Sequence, residues 1–297
     1  PGQKESLSLE GKNYLLNDIL IEGLDYLNDI LNDLRYNKHK KSLIKEIYEK
    51  EQAKALGLPT DDPLDPKRRA RVDYTWGEMW EQPQIITKNL ELEKESIAET
   101  GAYIASQSIE RIYMTGCGDS VASLIAVRSF YEELLGIPCE AVQALDFTYY
   151  YNRPVNDRTL VITLSSSGTT VRTVEAMLTA RAKGAKTLTL SNTPGSPLMN
   201  ESTRGILIRA ERKGWPTQSS TAAMALLYQL GIDIARNKGN SSIDLDEYQM
   251  QLNQTPKLVE NVLNAQNEPI LEASKAEADR HIYLFSGGGP AYASAMI

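Results

Sequence analysis

The stretch TLVITLSSSGTT, residues 159–170, ends an apolar run in three serines, a glycine and two threonines, with no Lys or Arg among them. Leu160, Val161, Ile162 and Leu164 predict a buried strand that stops at Ser165. The amphipathic stretch from Val171 predicts a helix, whose unpaired first-turn N–H groups and partial positive charge point back into the turn. Hydroxyls and amides then stand where cationic side chains would otherwise be. Each charge-assisted hydrogen bond adds about 1.5–3 kcal/mol, so such a turn can hold a small anionic group and release it.

A second turn, Gly116-Cys117-Gly118-Asp119-Ser120, follows the strand-like RIYMTG, residues 111–116. Gly116 and Gly118 permit close backbone approach or positive φ, and Asp119 or Ser120 can cap the next helix. Alone, this reads equally as a tight turn with an N-cap. A hydroxyl-rich turn one crossover later favours a ligand, because ligands of open parallel sheets sit beside such strand ends. Nucleotide readings fail: Val121 stands where GxGxxG needs its third glycine, and no Walker GK[ST] occurs.

Strands and helices alternate around these turns. Strands are expected at 111–116, 139–144, 157–164, 185–191 and 205–210, and helices at 119–135, 171–183 and 220–236. Five short strands separated by helices imply an α/β fold, a parallel sheet flanked by helices on both faces. Before them, residues 15–34 have apolar side chains at helical spacing, and a second helix is expected from Ser42 to about Leu56. PTDDPLDPKRRARVD, residues 59–73, reads as an exposed extended connection. Residues 1–75 are thus a helical appendage, either a docking or dimerisation element or a hairpin covering the main domain. Residues 76–107 read as helical apart from Pro83. Residues 241–278 are expected to be connecting helices broken at Pro256 and Pro269. Then RHIYLFSGGG, residues 280–289, repeats the strand and glycine turn of RIYMTGCGDS, as the start of a second copy over 279–297.

With 297 residues, 41% hydrophobic and 24% charged, the chain has a globular composition. A net charge of −7 and a pI near 5.1 argue against nucleic acid as a partner, and the basic KRRAR at 67–71 is local. No run of ~18 apolar residues and no secretion signal is found, so a cytoplasmic protein without a membrane partner is expected. Cys117 and Cys139 lack CxxC spacing, so neither zinc nor a disulfide framework is suggested. Cys117 reads as a nucleophile or as a small lining residue. His39 and His281, the two histidines, read as acid–base groups or as structural ones. Tyr149, Tyr150 and Tyr151 could stack on a ligand or pack at a subunit boundary.

GCGDS, then LSSSGTT, then TQSSTAA after two further strands, resembles the sugar isomerase (SIS) domain, which binds phosphosugars. The pattern is similar to the isomerase half of glucosamine-6-phosphate synthases and their deglycase relatives, which carry two such domains in tandem. The resemblance covers about 76–297, with a first SIS domain over 76–240. It implies that Ser165, Ser167 and Thr170 bind the sugar anion, helped by the N–H groups of Ser166 and Gly168. It also implies that Cys117, Gly118, Asp119 and Ser120 line the sugar and that Gln218, Ser219 and Ser220 close the pocket. Asp119 departs from the family, replacing a small hydroxyl residue, as does Thr169, which replaces the glutamate of SQSGET. The activity implied is an isomerase or deglycase acting on a phosphorylated or sulfonated sugar through an enediol, without metal or cofactor, in a homodimer or larger assembly. In the synthase family the base is a glutamate in the segment that follows GGGPAYASAMI, so the resemblance assigns no catalytic residue within 1–297. The other class left open is a sugar-phosphate sensor without turnover.

Overall fold

The computed structural model describes residues 34–57, 64–215, 217–240 and 242–296. The helix expected over 15–34 lies outside them except for Leu34, as does the start of the proline-rich stretch. The chain divides into two compact units, Pro1–Glu46 and Ile47–Ile297. Residues 34–46 are helical in the first; in the second, residues 47–55 are helical and form α1.

Two helices come next, α2 (Pro66–Leu92) and α3 (Lys94–Ala105). The expected extended connection therefore ends at Asp65, and KRRARVD is helical instead. Asp65 accepts from the Lys67 N–H at 2.9 Å and Pro66 opens the first turn, the two residues best suited to start a helix. Pro83 lies inside α2 rather than breaking it.

Five parallel strands form one sheet: β1 (Arg111–Gly116), β2 (Cys139–Gln143), β3 (Thr159–Leu164), β4 (Lys186–Ser191) and β5 (Arg204–Leu207), in the order β2-β1-β3-β4-β5. Between them lie α4 (Asp119–Leu135), α5 (Ala144–Asp146) with a π-helical turn (Phe147–Tyr151), α6 (Val171–Ala182) and α7 (Pro197–Glu201). After β5 come α8 (Gln218–Asn237), α9 (Leu245–Ala276) and α10 (Pro290–Met296).

Side chains alternate across a strand, so one face of the sheet carries Ile112, Met114, Leu160, Ile162, Leu164, Leu188 and Leu190. These pack on α3, α4 and α8 as the main core. The other face is mixed. Tyr113 and Val161 pack with Ala144, Phe147 and the α6 alanines Ala176 and Ala180, whereas Thr163 and Thr189 share a hydrogen bond of 2.7 Å. Small α6 side chains let that helix lie close over the hydroxyl-bearing strands. Consequently α4 leaves β1 on one face and α6 leaves β3 on the other.

Two C-terminal expectations are corrected. The α9 helix runs unbroken through Pro256 and Pro269; a proline forfeits one backbone bond but does not end a helix whose neighbours hold it, and Ile86 on α2 and Leu252 on α9 belong to one apolar cluster. RHIYLF forms no strand, and Ile282, Leu284 and Phe285 stand 77%, 93% and 78% exposed. A strand needs a neighbour to satisfy its N–H and C=O groups, and the sheet ends elsewhere, at β2 and β5.

Candidate functional site

Adjacent parallel strands end at the same edge of a sheet, so the pairing of β1 with β3, Thr115 opposite Thr163, sets their two turns side by side. Gly116 makes the approach closer: a Cβ there would lie 2.9 Å from both the Leu164 carbonyl oxygen and the Ser120 Cβ. Helices depart to opposite faces here, the arrangement beside which open α/β sheets bind their ligands.

In the first turn Gly118 has φ +56° and ψ −131°, a conformation suited to glycine, and it precedes α4 without any side-chain cap. Cys117, Asp119 and Ser120 are half-buried around it, and Gly118 is exposed. The Cys117 Sγ lies 3.6 Å from the Thr173 Oγ1, a contact that joins the first turn to α6. Cys139 lies apart in the core, and burial pushes its thiol up to about 12.

The second turn is braced from within. Ser165, 2% exposed, has its Oγ 2.9 Å from the Thr170 Oγ1 and accepts from the Gly168 N–H at 3.1 Å. The Ser167 Oγ accepts from the Thr169 N–H at 3.3 Å. A hydroxyl has one proton and two lone pairs, so if Ser165 donates to Thr170, the protons of Ser167 and Thr170 are both left for a ligand. Thr170 occupies the N-cap of α6 without a side-chain cap bond, so the first-turn N–H groups of that helix add donors. Gly168 has φ +64°, and a Cβ would meet the Ser196 Oγ at 2.0 Å, so a hydrogen is required where the turn rests on the loop after β4. The Ser166 carbonyl accepts from the Asn192 N–H and from the Ser191 and Thr193 hydroxyls, which fixes the turn to β4. Thus Ser165, Ser167, Gly168 and Thr170 come together, with Ser165 as the internal brace.

The third turn is differently disposed. Gln218 and Ser219 are buried and Ser220 half-buried at the start of α8. Gln218 donates to the Glu211 carbonyl at 3.0 Å, while its Oε1 and the Thr217 Oγ1 are buried without a hydrogen-bond partner. Buried acceptors of this kind suit the hydroxyl donors of a polyol.

Two features here lie outside the sequence expectations. One is a stripe on α2 that clamps the loop between β5 and α8. The Asn89 side chain bonds both the N–H and the C=O of Arg209, at 2.8 and 3.3 Å, and Glu93 pairs with the Arg209 guanidinium at 2.6 Å. The Glu78 Oε1 accepts from the N–H groups of Lys213 and Gly214, and the Thr75 Oγ1 from that of Trp215. Desolvation, then the Arg71 charge, pulls the Arg212 guanidinium below its ordinary value, opposed by Asp119 of the first turn and by Glu78. The helical spacing of Thr75, Glu78, Asn89 and Glu93 was the available signal. The other feature is Glu51 on α1, whose Oε1 accepts from the Thr169 Oγ1 at 3.0 Å. Nothing in local sequence marks a pair 118 positions apart.

Elsewhere, the Tyr149 hydroxyl donates to Glu175 at 3.1 Å, with Tyr150 exposed beside it, and His281 is exposed. Among the described residues no group of three or more His, Cys, Asp or Glu is placed to hold a metal ion, and no helix is long and apolar enough to cross a membrane.

Residues 105–232 match the SIS domain family. The chain is 31% identical over 232 residues to a glutamine–fructose-6-phosphate aminotransferase (isomerizing) of Shewanella oneidensis, covering 75% of this chain and 38% of that protein. With the Haemophilus influenzae protein of the same name it shares 30% over 274 residues, covering 88% and 43%. The chain therefore spans about two fifths of the length of these curated relatives. Its fold is shared with the solved C-terminal domain of glucosamine-fructose-6-phosphate aminotransferase from Francisella tularensis, with a TM-score of 0.67 at 22% identity over 75% of this chain and 64% of that one.

Proposed function

We propose, for a chain whose residues 105–232 belong to the SIS domain family, that the site at the β1 and β3 turns binds a sugar carrying a phosphate or sulfonate and serves an aldose–ketose isomerase or a deglycase. One observation carries this reading: the two turns adjoin on neighbouring parallel strands, and the second offers hydroxyl and N–H donors without a cationic side chain. The Ser167 and Thr170 hydroxyls and the free N–H groups of α6 take the tetrahedral anion. Asp119, a carboxylate, orients sugar hydroxyls, and Gln218 and Thr217 offer acceptors to others. The names of the relatives refer to fructose 6-phosphate and isomerisation, which agrees with such a ligand.

The chemistry asks for a base that moves a proton between C1 and C2 of the opened sugar and a donor that steadies the enediolate. The residues assigned here bind and orient. The protein is expected to act as a homodimer or larger assembly, in which a neighbouring copy adds to the pocket.

A panel of hexose phosphates, hexose sulfonates and their amine-bearing counterparts, read by thermal shift and by proton NMR in deuterated water, tests the reading. A ligand at ~100 Kd adds about 2.7 kcal/mol to stability. Deuterium appearing at C1 or C2 of the bound sugar identifies an isomerase, and release of an amine from an aminated sugar a deglycase. Binding without exchange or release identifies a sensor. A protein that none of the panel stabilises is not a sugar-anion binder, and the proposal fails.

A further inference from the structure

The anion turn is already in contact with a carboxylate. Thr169 lies between Gly168 and Thr170, and its hydroxyl donates to the Glu51 Oε1 at 3.0 Å. The same oxygen accepts from the Lys54 ammonium at 2.7 Å, so one anionic atom gathers a hydroxyl and an ammonium. Those are the partners that a phosphate or sulfonate oxygen would take. The turn itself has no Lys or Arg, and Glu51 on α1 links Lys54 to it. An ion pair three residues apart on a solvated helix is ordinarily worth little; this one differs because its carboxylate is also held by a residue of the binding turn.

We propose that Glu51 is a resident anion of the seat, and that an incoming oxyanion replaces it as the partner of both the Thr169 hydroxyl and the Lys54 ammonium. The inference rests on the reading of the 165–170 turn as an anion site. Lys54 thereby becomes the cation that the turn lacks, and the helix that carries it becomes a wall of the site. Lys54 first, then the Thr169 hydroxyl, hold the Glu51 carboxyl below its usual value against the opposing effect of burial, so it is fully ionised at neutral pH.

Isothermal titration of the intact chain with inorganic phosphate and with sulfate tests this, on the natural sequence, Glu51→Gln, and Glu51→Gln combined with Lys54→Ala. The amide still offers Thr169 an acceptor, so the helix stays docked while the charge is gone; amide-exchange protection over 47–55 checks the docking. Glu51→Gln is expected to bind both oxyanions roughly fivefold tighter, the scale of one partly exposed charge pair. Adding Lys54→Ala is expected to abolish that gain. Unchanged or weaker binding by Glu51→Gln overturns the inference, as does a gain that survives Lys54→Ala or a gain accompanied by loss of protection over 47–55. Where the natural protein binds oxyanions but Glu51→Gln binds no tighter, the inference alone falls. Where no variant binds either ion, the anion seat falls with it.

Discussion

Ser165 and Ser167 stand two positions apart in one turn and do different work. Ser165 is buried and spends its oxygen on Gly168 and Thr170, whereas Ser167 is half-buried and keeps a proton to donate. Removing the Ser165 hydroxyl leaves the Gly168 N–H without that acceptor, although the Ser165 carbonyl also accepts from it at 3.1 Å. Ser165→Ala is therefore expected to lower unfolding free energy by about 1–2 kcal/mol in urea titrations, the cost of a lost buried hydrogen bond. Ser167→Ala is expected to leave stability within about 0.5 kcal/mol and to weaken sugar-phosphate binding about tenfold, because in the proposed site its hydroxyl donates to the anion. Equal effects of the two substitutions on binding and stability would contradict this division. Both serines were visible in the sequence as candidate ligands; which of them braces and which donates depends on burial, and burial follows from how β3 ends against β4.

At the scale of elements, α2 matters more than its position outside the sheet suggests. Its polar stripe fixes the backbone from Arg209 to Trp215 and so sets where α8 starts, with Gln218 and Ser219 in its first turn. Asn89 is wholly buried and bonds the N–H and C=O of one residue, much as a neighbouring strand would beyond the end of β5. Asn89→Ala removes both bonds and leaves two backbone groups unpaired in a dry environment. A loss of about 2–4 kcal/mol is expected in equilibrium unfolding, with faster amide exchange over 209–215 and none of that acceleration in β1 or β3. Uniform acceleration would mean that α2 supports the whole sheet rather than this loop. The expectation of a helix over 76–107 found most of this element, yet helical periodicity reports only that a face is polar; what that face touches lies more than a hundred residues away.

At the scale of the whole molecule, stability should depend on alkaline pH through the core. Cys139 is fully buried and its thiol is pushed up to about 12, mainly by burial and next by the charge of Glu132. The unfolded chain ionises that thiol near ~8.5, so the folded state holds the proton more tightly. This contribution is whole below the ordinary thiol range and is lost as pH rises toward the folded value, by about 1.4 kcal/mol per pH unit. Urea titrations at pH 8 and pH 9.5 should show that decline, and Cys139→Ala should flatten it; an unaltered slope in the variant would assign it to other groups. The same molecule leaves Ile282, Leu284 and Phe285 in water, because a sequence that can pair as a strand does so only where a partner edge is free beside it. Local sequence by itself determined the strands, most of the helices, the parallel α/β class and the composition of the two turns, since alternation, helical spacing and glycine chemistry act within a few residues. Tertiary structure decided the order β2-β1-β3-β4-β5, the adjacency of the turns, the continuity of α9 through two prolines, and the arrival of Glu51 and the α2 stripe at the site. Those depend on which surfaces exclude water together, a choice made among residues far apart in the chain.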